Sequence, residues 1–481
     1  MTQLRERTAN TNARDHLRRI LYLPMEIASR EMDSRLLLAA IALERGFDIV
    51  LGQKWLIERN LDAMPPGLYL SKTLTQRDGR IMERARERGS IIAAIDEEVP
   101  GLVAKPDELR WVSDEGVANA DFIFVGGENN VGAYRSRFPQ AAEKIVPCLN
   151  PRWDLLKPGL REIYRREASR IRERFGRFIL INTNLGFSNS EKGPTESIVE
   201  EQARTGKLDL ANPTVRDYVD QVIRMERANF AAIREIVRHV LTDIPNVSVV
   251  LRPHPSERID TWQNAIGSSP RLTIIREGAS IPWIIAADAL VHTNCTTGVE
   301  AIALGQPALC VLATDEPVNR RYLANRVNPV ARSAQEALDV LKRHVGGTDQ
   351  ISFSREMFDF FATSMSFDEH KLGAVTIIER LIEEFEQRGA ASRGGAGSDE
   401  RSHWSPGRNY KWIMRDKNVR GTLFPGFSHQ VLAARLAEVA RQTGIRINPR
   451  TYACGSKVAL ITERNAPMSV RMRQFIMKNV A

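Results

Sequence analysis

Cysteine is scarce: four residues in 481, Cys148, Cys295, Cys310 and Cys454, with no CxxC pair among them. That spacing builds neither a disulfide scaffold nor a thiolate zinc site, and it fits a reducing compartment. Long apolar runs are missing too. Nothing approaches the roughly eighteen uncharged residues of a membrane span. The Arg-studded start (Arg5, Arg7, Arg14, Arg18, Arg19) lacks the apolar segment of a secretion signal. A cytoplasmic protein is expected. No Asp-x-Asp triplet occurs, so metal clamping of a diphosphate has no obvious ligand set, and neither a metal nor another cofactor is expected. There is no aromatic-glycine RNA signature, zinc-finger spacing or basic zipper, so nucleic acid is not an expected partner.

The rest is ordinary globular composition: 43% apolar and 26% charged residues, with 31 Gly and 23 Pro. The length is about three times that of a typical domain, which predicts two domains plus an extension. Sixty-eight Lys and Arg against 59 Asp and Glu leave a net charge of +9, dispersed except at the two ends. Such a balance suits an anionic substrate, or peripheral contact with the inner face of the plasma membrane; solubility accounts for it equally well.

From residue 20 to 147 short apolar runs of buried-strand type (20–23, 47–51, 67–70, 91–95, 122–125, 144–146) alternate with helical patterns, the clearest over 31–45. The rhythm restarts with strands at 178–182, 247–251, 272–275, 289–291 and 308–312 and a long amphipathic helix over 215–241. Strand and helix in alternation predict an α/β chain with two Rossmann-like, open parallel-sheet domains facing a cleft. The expected boundaries are a basic tail 1–19, a first domain 20–157, a second domain 158–388, a Gly/Ser/Arg-rich linker 389–406 and a small basic module 407–481. The polar stretch 186–205 reads as a mobile lid, and further helices are expected over 334–344, 371–386 and 430–443.

Ligands of open parallel sheets bind beyond the carboxyl ends of the strands, so the residues just after each strand carry the functional signal. In Arg252-Pro253-His254-Pro255-Ser256-Glu257, two prolines fix the backbone around one imidazole that can donate to a phosphate, with Arg252 strengthening the anion preference. The competing reading is a Pro-rich turn whose His caps a carbonyl. In His292-Thr293-Asn294-Cys295-Thr296-Thr297-Gly298-Val299-Glu300, hydroxyls and Gly298 open a helix, a setting for an anion. The competing reading is a capping box of Thr297 and Glu300; a Glu300 freed from it can accept the hydroxyls of a ribose. Asp96, Glu97 and Glu98 end a strand as three mutually repelling acids, a setting for a base or nucleophile, though solvated acidic loops are commoner. Glu26 and Arg30 follow the first strand, where Arg30 can clamp an acidic substrate and Glu26 can cap a helix.

The ordered series Pro24-Met25-Glu26-Ile27, Arg30-Glu31-Met32-Asp33, Ile95-Asp96-Glu97-Glu98, Asn150-Pro151-Arg152-Trp153-Asp154, Ile181-Asn182-Thr183-Asn184, Arg252 to Glu257 and His292 to Ala301 resembles the bacterial surface carbohydrate (surface polysaccharide) biosynthesis protein family. That family looks like a branch of the GT-B glycosyltransferases, related to the retaining Kdo transferases of capsule and lipopolysaccharide synthesis. The resemblance implies a glycosyltransferase moving a Kdo-like ulosonic acid from a CMP-sugar to a glycan or lipid-linked glycan, without a metal. By the same resemblance His254 and Pro255 hold the donor phosphate, joined by Arg252, His292, Thr296, Thr297, Gly298 and Glu300. One of Asp96, Glu97 and Glu98 supplies the essential carboxylate, and Glu26, Arg30, Asn182 and Asn184 meet substrate. The chain departs from the pattern in having three acids and then Val99 where relatives show Asp-Gly, and Leu149 where they show Gly. Two rival readings are a nucleotide-sugar epimerase and a non-catalytic polysaccharide-assembly protein with a decayed cleft.

Overall fold

The computed structural model describes residues 20–97, 109, 111–204, 208–394, 426, 428–453 and 457–463. The expected tail 1–19, Glu98, Cys454 and residues 395–406 of the expected linker lie outside them. The described chain is α/β and folds as two compact units: one gathers the residues up to Ile163 and those from Ser366 onward, the other runs Tyr164–Met365.

Strands form where short unbroken apolar runs can be buried on both faces. In the first unit β1 (Ile20–Met25), β2 (Asp48–Gln53), β3 (Leu68–Ser71), β4 (Ile91–Ile95), β5 (Phe122–Val125) and β6 (Ile145–Pro147) pair in parallel in the order β2-β1-β3-β4-β5-β6. Alternate side chains such as Ile20, Tyr22, Tyr69, Ile92 and Ile123 pack with Met82, Ala85 and Val131 from the helices Gln76–Glu87 and Glu128–Arg137. Helix Ala28–Glu44, buried from Leu36 to Leu43, is packed by helices Gly373–Gly394 and His429–Thr443.

In the second unit β7 (Phe178–Asn182), β8 (Ser248–Arg252), β9 (Leu272–Ile274), β10 (Ala289–His292), β11 (Ala308–Val311) and β12 (Val330–Ala331) are all parallel, in the order β12-β11-β10-β7-β8-β9. One face buries Ile179, Ile181, Val249, Leu251 and Val291 against the 31-residue helix Pro213–Asp243.

Two expectations are corrected. The segment 407–481 is not a separate module, and the second unit does not extend to residue 388. β13 (Pro449–Ala453) and β14 (Val458–Glu463) form an antiparallel hairpin, and β14 pairs antiparallel with β2, so the first sheet has eight strands. The pairing covers the exposed edge of β2 and buries Ala459 and Ile461. Gly52 allows the approach, because a Cβ there would lie 2.4 Å from the Lys457 carbonyl oxygen. Arg435 on helix His429–Thr443 grips both carboxylate oxygens of Asp33 at 2.7 and 2.8 Å. Nor is 186–205 a structureless lid: it contains helix Thr195–Arg204, Ser190 bridges to Glu257, and the Glu191 amide donates to the Ser256 carbonyl at 2.8 Å. Among the described residues no helix is long and apolar enough to cross a membrane.

Candidate functional site

In a parallel sheet the loops part, and a crevice opens, where the strand order reverses direction. That switch point lies between β7 and β10 in the second unit and between β1 and β3 in the first.

At the second-unit switch point Asn182, Arg252 and His292 are cross-strand partners at the ends of β7, β8 and β10. The loop after β8 is set by Glu257, fully buried, whose carboxylate accepts from the Thr183 hydroxyl (2.8 Å), the amides of Leu185 and His254 (3.1 Å each), Asn189 (3.3 Å) and the Trp262 indole (3.0 Å). This hub ties the β7 and β8 loops together. His254 stands on the exposed side beside Pro255. Its Nδ1 accepts from the Ser256 amide at 3.2 Å, with the Ser256 hydroxyl 2.7 Å away. The neutral ring therefore carries its proton on Nε2, the form that can donate to a phosphate oxygen.

The helix after β10 starts at Thr296 and ends at Leu304, with Cys295 as its N-cap and no side-chain cap. The capping box does not form. Thr297 Oγ1 is buried without a hydrogen bond, and the buried Glu300 instead accepts from the Ser280 hydroxyl at 2.6 Å. Ahead of the helix Asn294 takes a left-handed φ of 51°, a strained backbone for a residue other than Gly, and its side chain accepts from Asn325 at 2.6 Å. Asn184 is placed by its amide donating to Thr293 Oγ1 at 3.4 Å.

Two expected phosphate ligands are corrected. Arg252 donates to the carbonyls of Glu277 (2.6 Å) and Gly278 (3.1 Å) and lies over the Trp283 ring; burial lowers its pKa to about 10. His292 lies beneath the helix start, fully buried, where a Cβ on Gly298 would meet its Nε2 at 2.3 Å. Burial drives its pKa down to about 3, so it is a neutral packing group. Gly298 is there to admit that ring.

The first-unit switch point holds a buried set of charges. Glu31 folds back onto the amides of Glu26 (3.0 Å) and Ile27 (3.4 Å), filling the N-terminus of helix Ala28–Glu44 with its own carboxylate. Lys72, directly after β3 and almost fully buried, donates to Glu31 at 3.0 Å and Glu26 at 3.1 Å. Burial disfavours its ammonium, but Glu31, Glu26 and Glu97 outweigh that and raise its pKa. Glu97 pairs with the fully buried Arg35 at 3.2 Å, its amide donates to the Lys72 carbonyl, and its own carbonyl accepts from Arg30 at 2.9 Å. The expected role of Arg30 as clamp for an acidic substrate therefore gives way to a tie between loops. Asp96 is buried and accepts from the Trp111 indole at 2.9 Å and from the Tyr134 hydroxyl. Asp96 and Glu97 thus face inward, and Glu98 lies outside the described residues.

Lys72 and the Glu257 hub are the site residues that motif reading passed over. Lys72 sits in an unremarked Ser-Lys-Thr, and only the adjacency of β1 and β3 reveals it. Among the described residues no group of three or more His, Cys, Asp or Glu is placed to hold a metal ion.

No family model and no curated protein matches the chain. Solved structures that overlap it include UDP-GlcNAc 2-epimerase from Neisseria meningitidis bound to UDP-GlcNAc, at 12% identity over 76% of this chain and 99% of that one, TM-score 0.44. MnaA of S. aureus with UDP overlaps at 12% identity, 77% and 97% coverage and TM-score 0.45. The wall teichoic acid polymerase TagF soaked with CDPG overlaps at 11% identity, 77% and 89% coverage and TM-score 0.47. These are loose overlaps of architecture, and no argument about chemistry rests on them.

Proposed function

We propose that the chain is a GT-B-type glycosyltransferase of bacterial surface polysaccharide assembly, with the nucleotide-sugar donor held by the second unit and the glycan acceptor offered to the first. The observation that carries the reading is the helix start after β10. Thr297 and Glu300 are available there because the capping box that would consume them is absent, and the start sits at the switch point of a β9-β8-β7-β10-β11-β12 sheet. Backbone N–H groups and the helix dipole favour a phosphate at such a position. His254, presented as the Nε2–H tautomer on a rigid Pro-flanked turn, supplies a donor for the same group. A buried Glu300 accepts ribose hydroxyls in exchange for Ser280.

The donor we propose is a CMP-activated ulosonic acid of the Kdo kind, as the family resemblance implies; its single phosphate needs no more neutralisation than an imidazole and a helix start provide. The reacting carboxylate is assigned by the same resemblance to the loop Asp96, Glu97 and Glu98. Comparison of Asp96→Asn, Glu97→Gln and Glu98→Gln identifies which one acts, and full activity in all three removes the assignment.

The test is thermal stabilisation by CMP, CDP and UDP, followed by incubation with a panel of CMP-sugars and detection of free CMP and glycosylated product. Stabilisation by CMP with acceptor-dependent release supports the reading. Stabilisation by UDP alone removes the CMP donor, consumption of donor without an acceptor turns the reading toward an epimerase, and no response to any nucleotide overturns it.

A further inference from the structure

We infer that the first-unit switch point is a binding site for an uncharged, hydroxyl-rich saccharide end, and that Lys72 is its positioning residue. The inference rests on the acceptor reading above and names the chemistry of that acceptor.

The strand order puts a crevice between β1 and β3, and the side chains immediately after those strands are Glu26 and Lys72, bridged at 3.1 Å. Three carboxylates (Glu26, Glu31, Glu97) and three cations (Arg30, Arg35, Lys72) gather there, so the set is balanced. The neighbouring set of Lys54 and Arg77 with Glu58 and Asp78 is balanced as well. The one position that would attract an anion, the start of helix Ala28–Glu44, is already filled by Glu31. An anionic ligand would have to displace a carboxylate, and a cationic ligand would have to displace Lys72; both break a buried pair.

A hydroxyl does neither. It donates to a carboxylate and accepts from an N–H group in the same place. The cluster offers both kinds of partner. Glu26 is the carboxylate that reaches solvent, 25% exposed against 1% for Glu31 and 2% for Glu97. Arg35 is fully buried, and its Nε and Nη1 make no hydrogen bond, so N–H donors stand without acceptors at the base of the set. Lys72 touches no ligand in this scheme. It fixes the orientation of Glu26 by holding it and Glu31 on one ammonium.

The experiment is saturation-transfer NMR on the full chain with CMP present. The probes are neutral sugars (galactose, rhamnose, maltose) and their charged counterparts (glucuronate, glucose 6-phosphate). Neutral sugars are expected to show transfer and charged ones not. Glu26→Gln and Lys72→Met are each expected to weaken the neutral-sugar affinity about tenfold or more, while the stabilisation by nucleotide stays unchanged. The double variant is expected to be no weaker than Glu26→Gln alone, because Lys72 acts through Glu26; a purely structural lysine would add a further loss. If Lys72→Met does not fold, Glu26→Gln, at a part-exposed position, carries the test alone. Charged sugars binding as well as neutral ones, neutral sugars unaffected by Glu26→Gln, or no sugar binding at all would each overturn the inference. Loss of the nucleotide response in the unaltered protein would instead remove the donor reading.

Discussion

Replacing Glu226 by Gln should change how stability depends on pH, and by an amount the structure sets. The Glu226 carboxylate projects from helix Pro213–Asp243 and accepts the amides of Phe187 (3.0 Å) and Ser188 (2.6 Å), fixing the loop after β7. Burial pushes its pKa up to about 7, against the amides, which pull it down, and with help from nearby Glu257. A carboxyl whose folded pKa exceeds its unfolded value of about 4.3 binds its proton more tightly in the fold. Its contribution is therefore complete at acid pH and is lost as the pH climbs through 7. The gap corresponds to about 3 kcal/mol of linkage between roughly pH 4.5 and 8. Gln keeps the acceptor oxygen and cannot titrate, so Glu226→Gln should gain on the unaltered chain by about that amount over the window. Guanidinium unfolding of both proteins at intervals from about pH 5 to 8 measures it. Parallel stability profiles for the two would refute the reasoning, since every other titrating group is common to both.

Gly298→Ala should destabilise the second unit by about 1–3 kcal/mol, because its Cβ would meet the His292 ring at 2.3 Å. Combining it with His292→Ala should recover part of that loss in the same denaturation assay. A chain ending at Gly394 should aggregate, as seen by light scattering, because it uncovers the β2 edge and the apolar surface under Leu436, Leu460 and Ile461. A soluble, cooperatively unfolding truncation would contradict the role given to the hairpin.

Much of the strand pattern is legible in the sequence, because a strand buried on both faces must be a continuous apolar run. Ile91–Ile95, Phe122–Val125 and Phe178–Asn182 stand where such runs predict them. The C-terminal hairpin is not legible in that way: β13 begins with Pro449 and mixes in Arg450 and Thr451, so it lacks an apolar run, and its partner strand lies some four hundred residues away in sequence from β2. The same contrast holds at the candidate site. The His254 turn is marked by its two prolines, which act locally. The burial of His292 and the redirection of Arg252 onto Trp283 depend on helices packed from elsewhere in the second unit, and no local string encodes them. Lys72 is the extreme case, a lysine with no motif around it whose environment is made by three strand ends meeting.

The pairing of β14 with β2 also sets a timetable. Residues 164–365 form a contiguous unit that can reach its native state while the ribosome is still translating the C-terminal hundred or so residues. The other unit has to wait, with β2 offering an open edge, until the stretch beyond Ser428 emerges from the exit tunnel. During that interval the nascent polypeptide carries a half-assembled sheet, which is the interval in which a chaperone would be needed most.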